Sequence, residues 1–402
     1  MNDIFIFAGI RTPFGRHGGE IARVRTDELL AMTIREVVRQ AGIDGSLIED
    51  VIAGDSNQAG EDSRNAARNA ALLAGLPETV GGITVNRLCG SGIAAVLDAA
   101  RTLRCGEGNL VIACGVESMS RSPWVLSKAD SAFSRTQEMF DSTIGWRFPN
   151  PRFLAQFGGD SMPETADNIA RDLGITRADS DRFAYESQQK YARAKADGFF
   201  ADEILTVEIP NPRRKEPPLR ISEDEHPRPD ATPESLARLK PLQEGGVVTA
   251  GNASGINDGA GALLLGTGDM GRKLGLKPRA RIVAGAIAGV APRVMGLGPV
   301  PASQKVLERA GLALRDMNVI EINEAFATQV LGCLKQFSLP FDDTRINPNG
   351  GAIAVGHPLG ASGIRLVLTA LRQLERTKGR YALTTMCIGL GQGIAVILER
   401  AG

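Results

Sequence analysis

Short apolar runs rich in β-branched residues alternate with stretches of helical period along most of the chain. Residues 51–53, 110–113, 280–285, 319–322 and 394–398 read as buried strands. Between them apolar residues recur at spacings of three and four. The clearest case is 88–103, where one continuous apolar stripe predicts a helix that begins just after a glycine-serine-glycine turn. This alternation predicts an α/β architecture.

The pattern breaks between Met119 and Ala250, a segment that holds both tryptophans and more than half of the 21 prolines. Helical period persists there at 162–173, 177–198 and 232–239, joined by a proline-rich, charged run at 211–229. The segment reads as a long insertion.

A repeat ties the two flanking parts together. LCGSGIAAVLDAARTL (88–103) aligns without gaps to LGASGIRLVLTALRQL (359–374), with Ser91/Ser362, Gly92/Gly363, Ile93/Ile364, Val96/Val367, Leu97/Leu368, Ala99/Ala370, Arg101/Arg372 and Leu103/Leu374 identical. A second pair, VVRQAGI from Val37 and VLERAGL from Val306, lies at nearly the same offset. Two duplicated α/β halves packed together, with the insertion emerging near the end of the first, account for all of this.

Composition narrows the function. With 402 residues, 43% of them hydrophobic and 23% charged, the chain is too apolar to be disordered and long enough for more than one core. The 46 basic and 46 acidic residues balance, so no global field attracts nucleic acid or an anionic membrane, and an anionic ligand needs a local basic cluster. No stretch approaches the ~18–20 apolar residues of a membrane span and the first residues carry no export signal, which predicts a cytoplasmic protein. Five scattered cysteines make neither a disulfide framework nor a metal knuckle, and three histidines give no metal-ligand spacing, so no metal is expected.

Three of these residues sit where chemistry is plausible. Cys89 lies at the start of the first repeat helix, where free amides and the positive dipole end favour a thiolate and would lower its pKa from ~8.5. The alternative is a buried structural cysteine, the reading given to Cys105, Cys114 and Cys333. His357 lies in the glycine-rich loop 347–363, three residues before Gly360, which is the repeat equivalent of Cys89. The duplication would then face His357 towards Cys89; a satisfied loop histidine is the alternative, and the missing GK[ST] excludes a Walker loop. Cys387, in TMCIGLGQG, falls at the end of a strand beside the same interface, where ligands collect in α/β sheets. Asn323 and Glu324 in INEAFA offer an amide for an oxyanion site or a cap for the following helix.

Taken in order, RTPFG (11–15), NRLCGSG (86–92), CGVESMS (114–120), TAGNASGINDGA (249–260), NEAFA (323–327), NPNGGAIAVGHPLGASG (347–363) and CIGLGQG (387–393) resemble the thiolases, the acyl-CoA acetyltransferases that cleave or form 3-oxoacyl-CoA. The resemblance implies a fold of two duplicated halves in five layers (α-β-α-β-α), divided as 1–118 plus 251–275, a loop domain at 119–250 covering coenzyme A, and 276–402. It implies Cys89 as the acyl-accepting nucleophile, His357 as its base and Cys387 as the second acid/base. It places one oxyanion site at Asn323 with His357 and another at the amides of Cys89 and Gly389. Ser254 resembles the serine that meets pantetheine, and Arg213, Arg214, Lys215, Arg220 and Arg228 are the basic residues available to the CoA phosphates. CoA enters as co-substrate, with no permanently bound cofactor, and the family is usually a homotetramer, a dimer of dimers.

Residues 143–153 and 159–168 resemble the branch acting on 3-oxoadipyl-CoA in aromatic-compound degradation. Ser161 stands where acetoacetyl-CoA enzymes commonly have histidine, and Leu390 where many thiolases have glycine. A 3-oxoadipyl group ends in a carboxylate, for which Arg147 and Arg152, with Ser161 beside them, are the candidate partners. The alternatives are a broad 3-ketoacyl-CoA or acetoacetyl-CoA thiolase and a non-catalytic carrier with the same fold; a disulfide between Cys89 and Cys387 under oxidation is a further possibility.

Overall fold

The structure is a computed structural model describing residues 3–211, 213 and 215–402. Nine strands carry the frame: β1 (Ile4–Arg11), β2 (Asp50–Gly54), β3 (Ile83–Val85), β4 (Leu110–Ser118), β5 (Asn257–Thr267), β6 (Ala280–Gly289), β7 (Val319–Ile322), β8 (Tyr381–Ile388) and β9 (Gln392–Arg400). They are hydrogen-bonded in the order β7-β8-β9-β6-β1-β5-β4-β2-β3, with the short strand Gly15–Arg16 added at β5. The duplication is visible in that order. Each half runs first strand, last strand, next to last, second: β1-β5-β4-β2 in one, with β3 added at its edge, and β6-β9-β8-β7 in the other. The halves join where Phe5 and Ile6 of β1 pair with Arg281 and Ala280 of β6. Both first strands carry a register shift at the same place, Ile6/Ala8 and Ile282/Ala284.

Helices α1 (Thr26–Ala41) and α2 (Ala66–Leu73) cover the outer face of the first half-sheet. Helices α6 (Pro299–Ala310) and α7 (Ala327–Phe337) cover that of the second. Between the half-sheets lie the two repeat helices, α3 (Ser91–Cys105) and α8 (Leu359–Thr377), giving the five layers. The middle layer presents apolar side chains to both half-sheets: Ile93, Val96 and Leu103 of α3 pack with Ile364, Val367 and Leu371 of α8. Strands sandwiched this way are buried on both faces. In β5, Leu263 and Leu265 face the middle layer while Ala262 and Leu264 face α1, so the period of two is hidden in a continuous apolar run.

The second repeat pair is also structurally equivalent: α1 ends at Gly42 (φ 63°) and α6 at Gly311 (φ 64°), each a left-handed C-cap. The two central helices cross at equivalent glycines. A Cβ on Gly363 would stand 2.2 Å from the Ile93 nitrogen, and one on Gly92 3.0 Å from the Gly363 Cα, so only hydrogen fits at the crossing. The helices differ in one respect. α8 begins at Leu359, but α3 begins at Ser91, three positions later in the alignment, leaving Leu88, Cys89 and Gly90 in a non-helical turn.

The insertion leaves after β4, forms the hairpin Trp124–Leu126/Met139–Asp141, helices α4 (Met162–Leu173) and α5 (Arg177–Ala196), and a second hairpin, then returns through β5. A buried network anchors it. Arg11 donates from Nε to Glu203 (2.7 Å) and from Nη1 and Nη2 to Asp224 (2.6 and 3.0 Å), while the Tyr191 hydroxyl donates to Asp224 (2.9 Å) and Thr369 to Glu203 (3.1 Å). RTPFG is thus where the first half holds the insertion.

Several details depart from the sequence reading. β1 and β5 are not among the expected strands, and the glycine-rich text from Asn257 is the fully buried β5. The run 211–229 contains a strand, Leu219–Ile221, paired with Val207–Ile209. The helix expected at 232–239 is shortened to Pro233–Ala237, and Pro151–Phe157 is a helix that the prolines had concealed. Cys105, expected to be buried, is exposed because α3 ends there at the surface; Cys114 and Cys333 are buried.

Candidate active site

The open turn at 88–90 is held by Ser91, whose hydroxyl donates to the Leu88 carbonyl (2.7 Å) and accepts from the Arg87 amide (2.8 Å). The turn forces Leu88 to φ 47° and presents Cys89 with two backbone amides, its own and that of Gly389, directed at the sulfur. The Gly389 amide comes from the other half, in the β8–β9 hairpin loop. The expected thiolate is corrected here. Burial pushes the Cys89 thiol up to about 11, with the negative Glu117 adding to it, and the two amides offset only part of this. Desolvation of the sulfur outweighs the helix end, so the resting group is a thiol that needs a base.

His357 has the form such a base requires. It lies just before α8, as Cys89 lies just before α3, and its ring is clamped on both nitrogens. Ser362 Oγ, 2.6 Å from Nδ1, already donates to the Pro358 carbonyl (2.8 Å), so it accepts the Nδ1 proton. That leaves the lone pair on Nε2, which accepts from Asn323 Nδ2 at 3.3 Å. The His357 amide is fixed by Asn257 Oδ1 (2.9 Å). Burial, then the nearby Arg365 charge, pushes the imidazole down to about 3, so it is neutral across the physiological range. Ser362 is the repeat equivalent of Ser91: one hydroxyl holds the nucleophile's turn, the other the base's tautomer.

Cys387 sits near the end of β8, 1% exposed, among Met162, Ala253, Met295, Ala325 and Phe326. Burial pushes its thiol well up, and the neighbouring Cys89 and Cys333 add to the shift. Two buried carboxylates align the surrounding loops. Glu324 accepts from Ser187 Oγ (2.7 Å), Asn347 Nδ2 (2.7 Å) and the Ile353 amide (3.1 Å), joining the insertion to the loop that carries His357. Glu117 accepts from the amides of Ser56 (3.2 Å), Asn57 (3.0 Å) and Gly360 (2.9 Å). Ser362, Asn257 and Glu117 were not singled out from the sequence. The Ser91/Ser362 identity within the repeat was the signal that pointed to the first.

The turn bearing Ser254 is pinned to the Asn323 segment: Ser254 N donates to Ala325 O (2.9 Å), and Ala327 N to Asn252 O (2.9 Å). His226 lies against this turn, its ring filling the space beside Gly255; burial, then the nearby Arg228 charge, pushes its imidazole down to about 4. Arg213 and Arg220 instead lie on the exposed second hairpin and its connection, paired with Glu216 (3.1 Å) and Glu208 (3.3 Å). Arg214 falls outside the described residues. Arg147 Nη1 donates to Asn57 Oδ1 (3.2 Å), on the loop that Glu117 holds. Arg152 is exposed on Pro151–Phe157. Ser161 caps α4 one residue before Met162, whose sulfur would be 3.9 Å from a Cβ on Gly389. The structure thus links Cys89 to Gly389 and Cys387, links His357 to Asn323, and ties the Ser254 turn to the Asn323 segment, while Arg213, Lys215, Arg220, Arg228 and Arg152 are exposed.

Comparison with known proteins gives the same frame. The family profile "Thiolase, N-terminal domain" matches residues 4–269 and "Thiolase, C-terminal domain" residues 276–400. The chain is 59% identical over 402 residues, all of both chains, to the 3-oxoadipyl-CoA/3-oxo-5,6-dehydrosuberyl-CoA thiolase of Escherichia coli K12. It is 55% identical over 99% of both chains to the beta-ketoadipyl-CoA thiolase of Pseudomonas aeruginosa. The acetyl-CoA acetyltransferase of Bacillus anthracis superposes with a TM-score of 0.93 at 37% identity, covering 100% of this chain and 99% of that one. From its duplicated halves to the two cysteines and the histidine at their interface, this chain belongs to the thiolase family.

Proposed function

We propose that the chain cleaves 3-oxoadipyl-CoA with CoA, giving succinyl-CoA and acetyl-CoA through an acyl thioester on Cys89. The observation that carries the chemistry is a protonated thiol under two amides from opposite halves, with a neutral imidazole whose lone pair is fixed on Nε2. The full-length identity of 59% to the E. coli enzyme supports the substrate.

In the first half-reaction the Cys89 proton passes to His357 Nε2 as sulfur attacks the 3-oxo carbon. The new oxyanion lies under the amides of Cys89 and Gly389. The bond between the second and third acyl carbons breaks, and its electron pair becomes the enolate of acetyl-CoA. That enolate oxygen meets the proton now on His357 Nε2 and a water held by Asn323, whose buried Oδ1 has no partner within the described protein. Cys387 supplies the proton to the enolate carbon, and acetyl-CoA departs. In the second half-reaction the thiol of incoming CoA returns a proton to Cys387 and attacks the succinyl thioester. Cys89 leaves as sulfur and recovers its proton from His357. Proton and bond counts close over the cycle, a ping-pong path.

Ser254 and Arg228 hold CoA in this reading, one at the pantetheine arm and the other at the phosphates. Arg147, backed by Asn57, takes the terminal carboxylate. The site works in the cytoplasm on free acyl-CoA, with no nucleic acid, membrane or metal involved.

The test is CoA-dependent cleavage of 3-oxoadipyl-CoA, acetoacetyl-CoA and a medium-chain 3-oxoacyl-CoA, compared by kcat/KM, with Cys89→Ala as the blank. The expected result is a clear preference for the dicarboxylic substrate and no turnover by the blank. Equal or better rates on plain substrates overturn the substrate assignment and leave the mechanism; turnover by Cys89→Ala overturns the mechanism.

A further inference from the structure

The hairpin loop between β8 and β9 breaks a local rule. Gly389, Leu390 and Gly391 close it between the paired Ile388 and Gln392. Leu390 has φ 65° and Gly391 φ 82°, two left-handed residues in succession, a conformation that glycine and asparagine adopt without strain and leucine does not. The leucine side chain is 44% exposed and belongs to none of the apolar clusters of the core among the described residues. The loop cannot relax elsewhere, since the Val290 amide donates to Gly391 O (2.8 Å) and a Cβ on Gly391 would strike Val290 O at 2.2 Å.

Its neighbourhood gives the strain a direction. Gly389, whose amide faces the Cys89 sulfur, is followed in the chain by Leu390. Through space it meets Leu88, the residue before the nucleophile, whose Cδ1 lies 3.4 Å from where a Gly389 Cβ would stand. Leu88 too is left-handed, at φ 47°. The two strained leucines come from opposite halves and flank the two amides that face the sulfur. Strain held at such a position points to a role in the reaction.

We infer that Leu390 is an apolar cover over the acyl group carried by Cys89, keeping water away while the enzyme waits for CoA. This rests on the acyl-thioester reading above. An uncovered thioester is lost when water adds to its carbonyl: the carbon–sulfur bond breaks, the acyl group leaves as a carboxylic acid and Cys89 regains a proton. The cover lets CoA's thiol compete without that loss.

Acetyl-CoA loads Cys89 through one half-reaction, and intact mass reports the adduct. After free CoA is removed, its decay is followed in the parent enzyme and in Leu390→Gly, Leu390→Asn and Leu390→Met. Gly and Asn both suit the left-handed loop, so neither threatens the fold, and Asn retains bulk without an apolar surface. The expected result is adduct decay about five-fold faster or more in Gly and Asn, near-parental decay in Met, and a thermal midpoint in Gly equal to or above the parent's. Parental decay in Leu390→Gly overturns the cover, as does a lowered midpoint, which would place Leu390 in packing. Failure of the parent to form any adduct overturns the thioester reading, and the cover falls with it.

Discussion

At the scale of single residues, the site pairs a nucleophile that rests in its unreactive protonated form with a base that rests in its reactive neutral form. Cys89, its thiol pushed up to about 11, is protonated at neutral pH, and His357, pushed down to about 3, is a neutral imidazole there, each by burial. The raised thiol pKa has a sign that can be read directly. A thiol raised this far carries little thiolate at neutral pH, and its ionised fraction grows about ten-fold per pH unit up to pH ~11. Alkylation of Cys89 by iodoacetamide, followed by peptide mass, is therefore expected to keep rising from pH 7 to pH 10. A plateau above pH 7 would mean that the helix end dominates after all. The sequence made Cys89 and His357 legible because each sits on a glycine-flanked turn before a repeat helix, and Cys387 because it ends a strand that runs into a glycine-rich loop. It did not reveal the clamp on His357, since a serine's partner depends on which carbonyl lies beneath it, nor the direction of the Cys89 shift, since dipole and desolvation act oppositely and only the surroundings decide between them.

At the scale of elements, legibility followed burial geometry. β7 was readable to the residue, being a short apolar run of β-branched residues, whereas β5 was hidden by its own glycines. Those glycines are spacers under α8: a Cβ on Gly261 would stand 2.9 Å from Ile364. The crossing of α3 and α8 is tighter still, and it sets the most sensitive packing position. Gly363→Ala is expected to destabilise the enzyme by at least ~1–3 kcal/mol, the usual effect of overpacking a full core, and to lower kcat as the two catalytic turns are pushed apart. Urea denaturation alongside steady-state kinetics checks both. An alanine variant with parental stability would show that the helices separate freely at that point.

At the scale of the whole molecule, the balance of 46 basic and 46 acidic residues leaves no net field, and among the described residues no helix is long and apolar enough to cross a membrane. What stands out is the hairpin Trp124–Leu126/Met139–Asp141, with Trp124 71%, Leu126 60%, Met139 61% and the tip residue Phe133 99% exposed in the single chain. Apolar surface concentrated on one projecting element marks an association site. We predict that four copies assemble as a dimer of dimers and that this hairpin serves the second contact. Light scattering on a sizing column is expected to give a tetramer for the parent and a smaller species for Trp124→Ser/Phe133→Ser; a monomeric parent, or a double variant of parental mass, refutes it. This surface belongs to the insertion, where prolines and charge obscured the sequence pattern and hid one short helix, Pro151–Phe157, and two hairpins.

The three-residue lag between the starts of α8 and α3 has an evolutionary consequence. Two copies of one motif face each other across an approximate twofold, and a strictly symmetric ancestor would have carried the same turn twice. Here one copy keeps its first turn wound, and its serine steadies an imidazole; the other has let that turn out, and the slack is what lifts a sulfur towards the dyad. Within a single chain, duplication has become division of labour, and the departure from symmetry is less than one turn of helix.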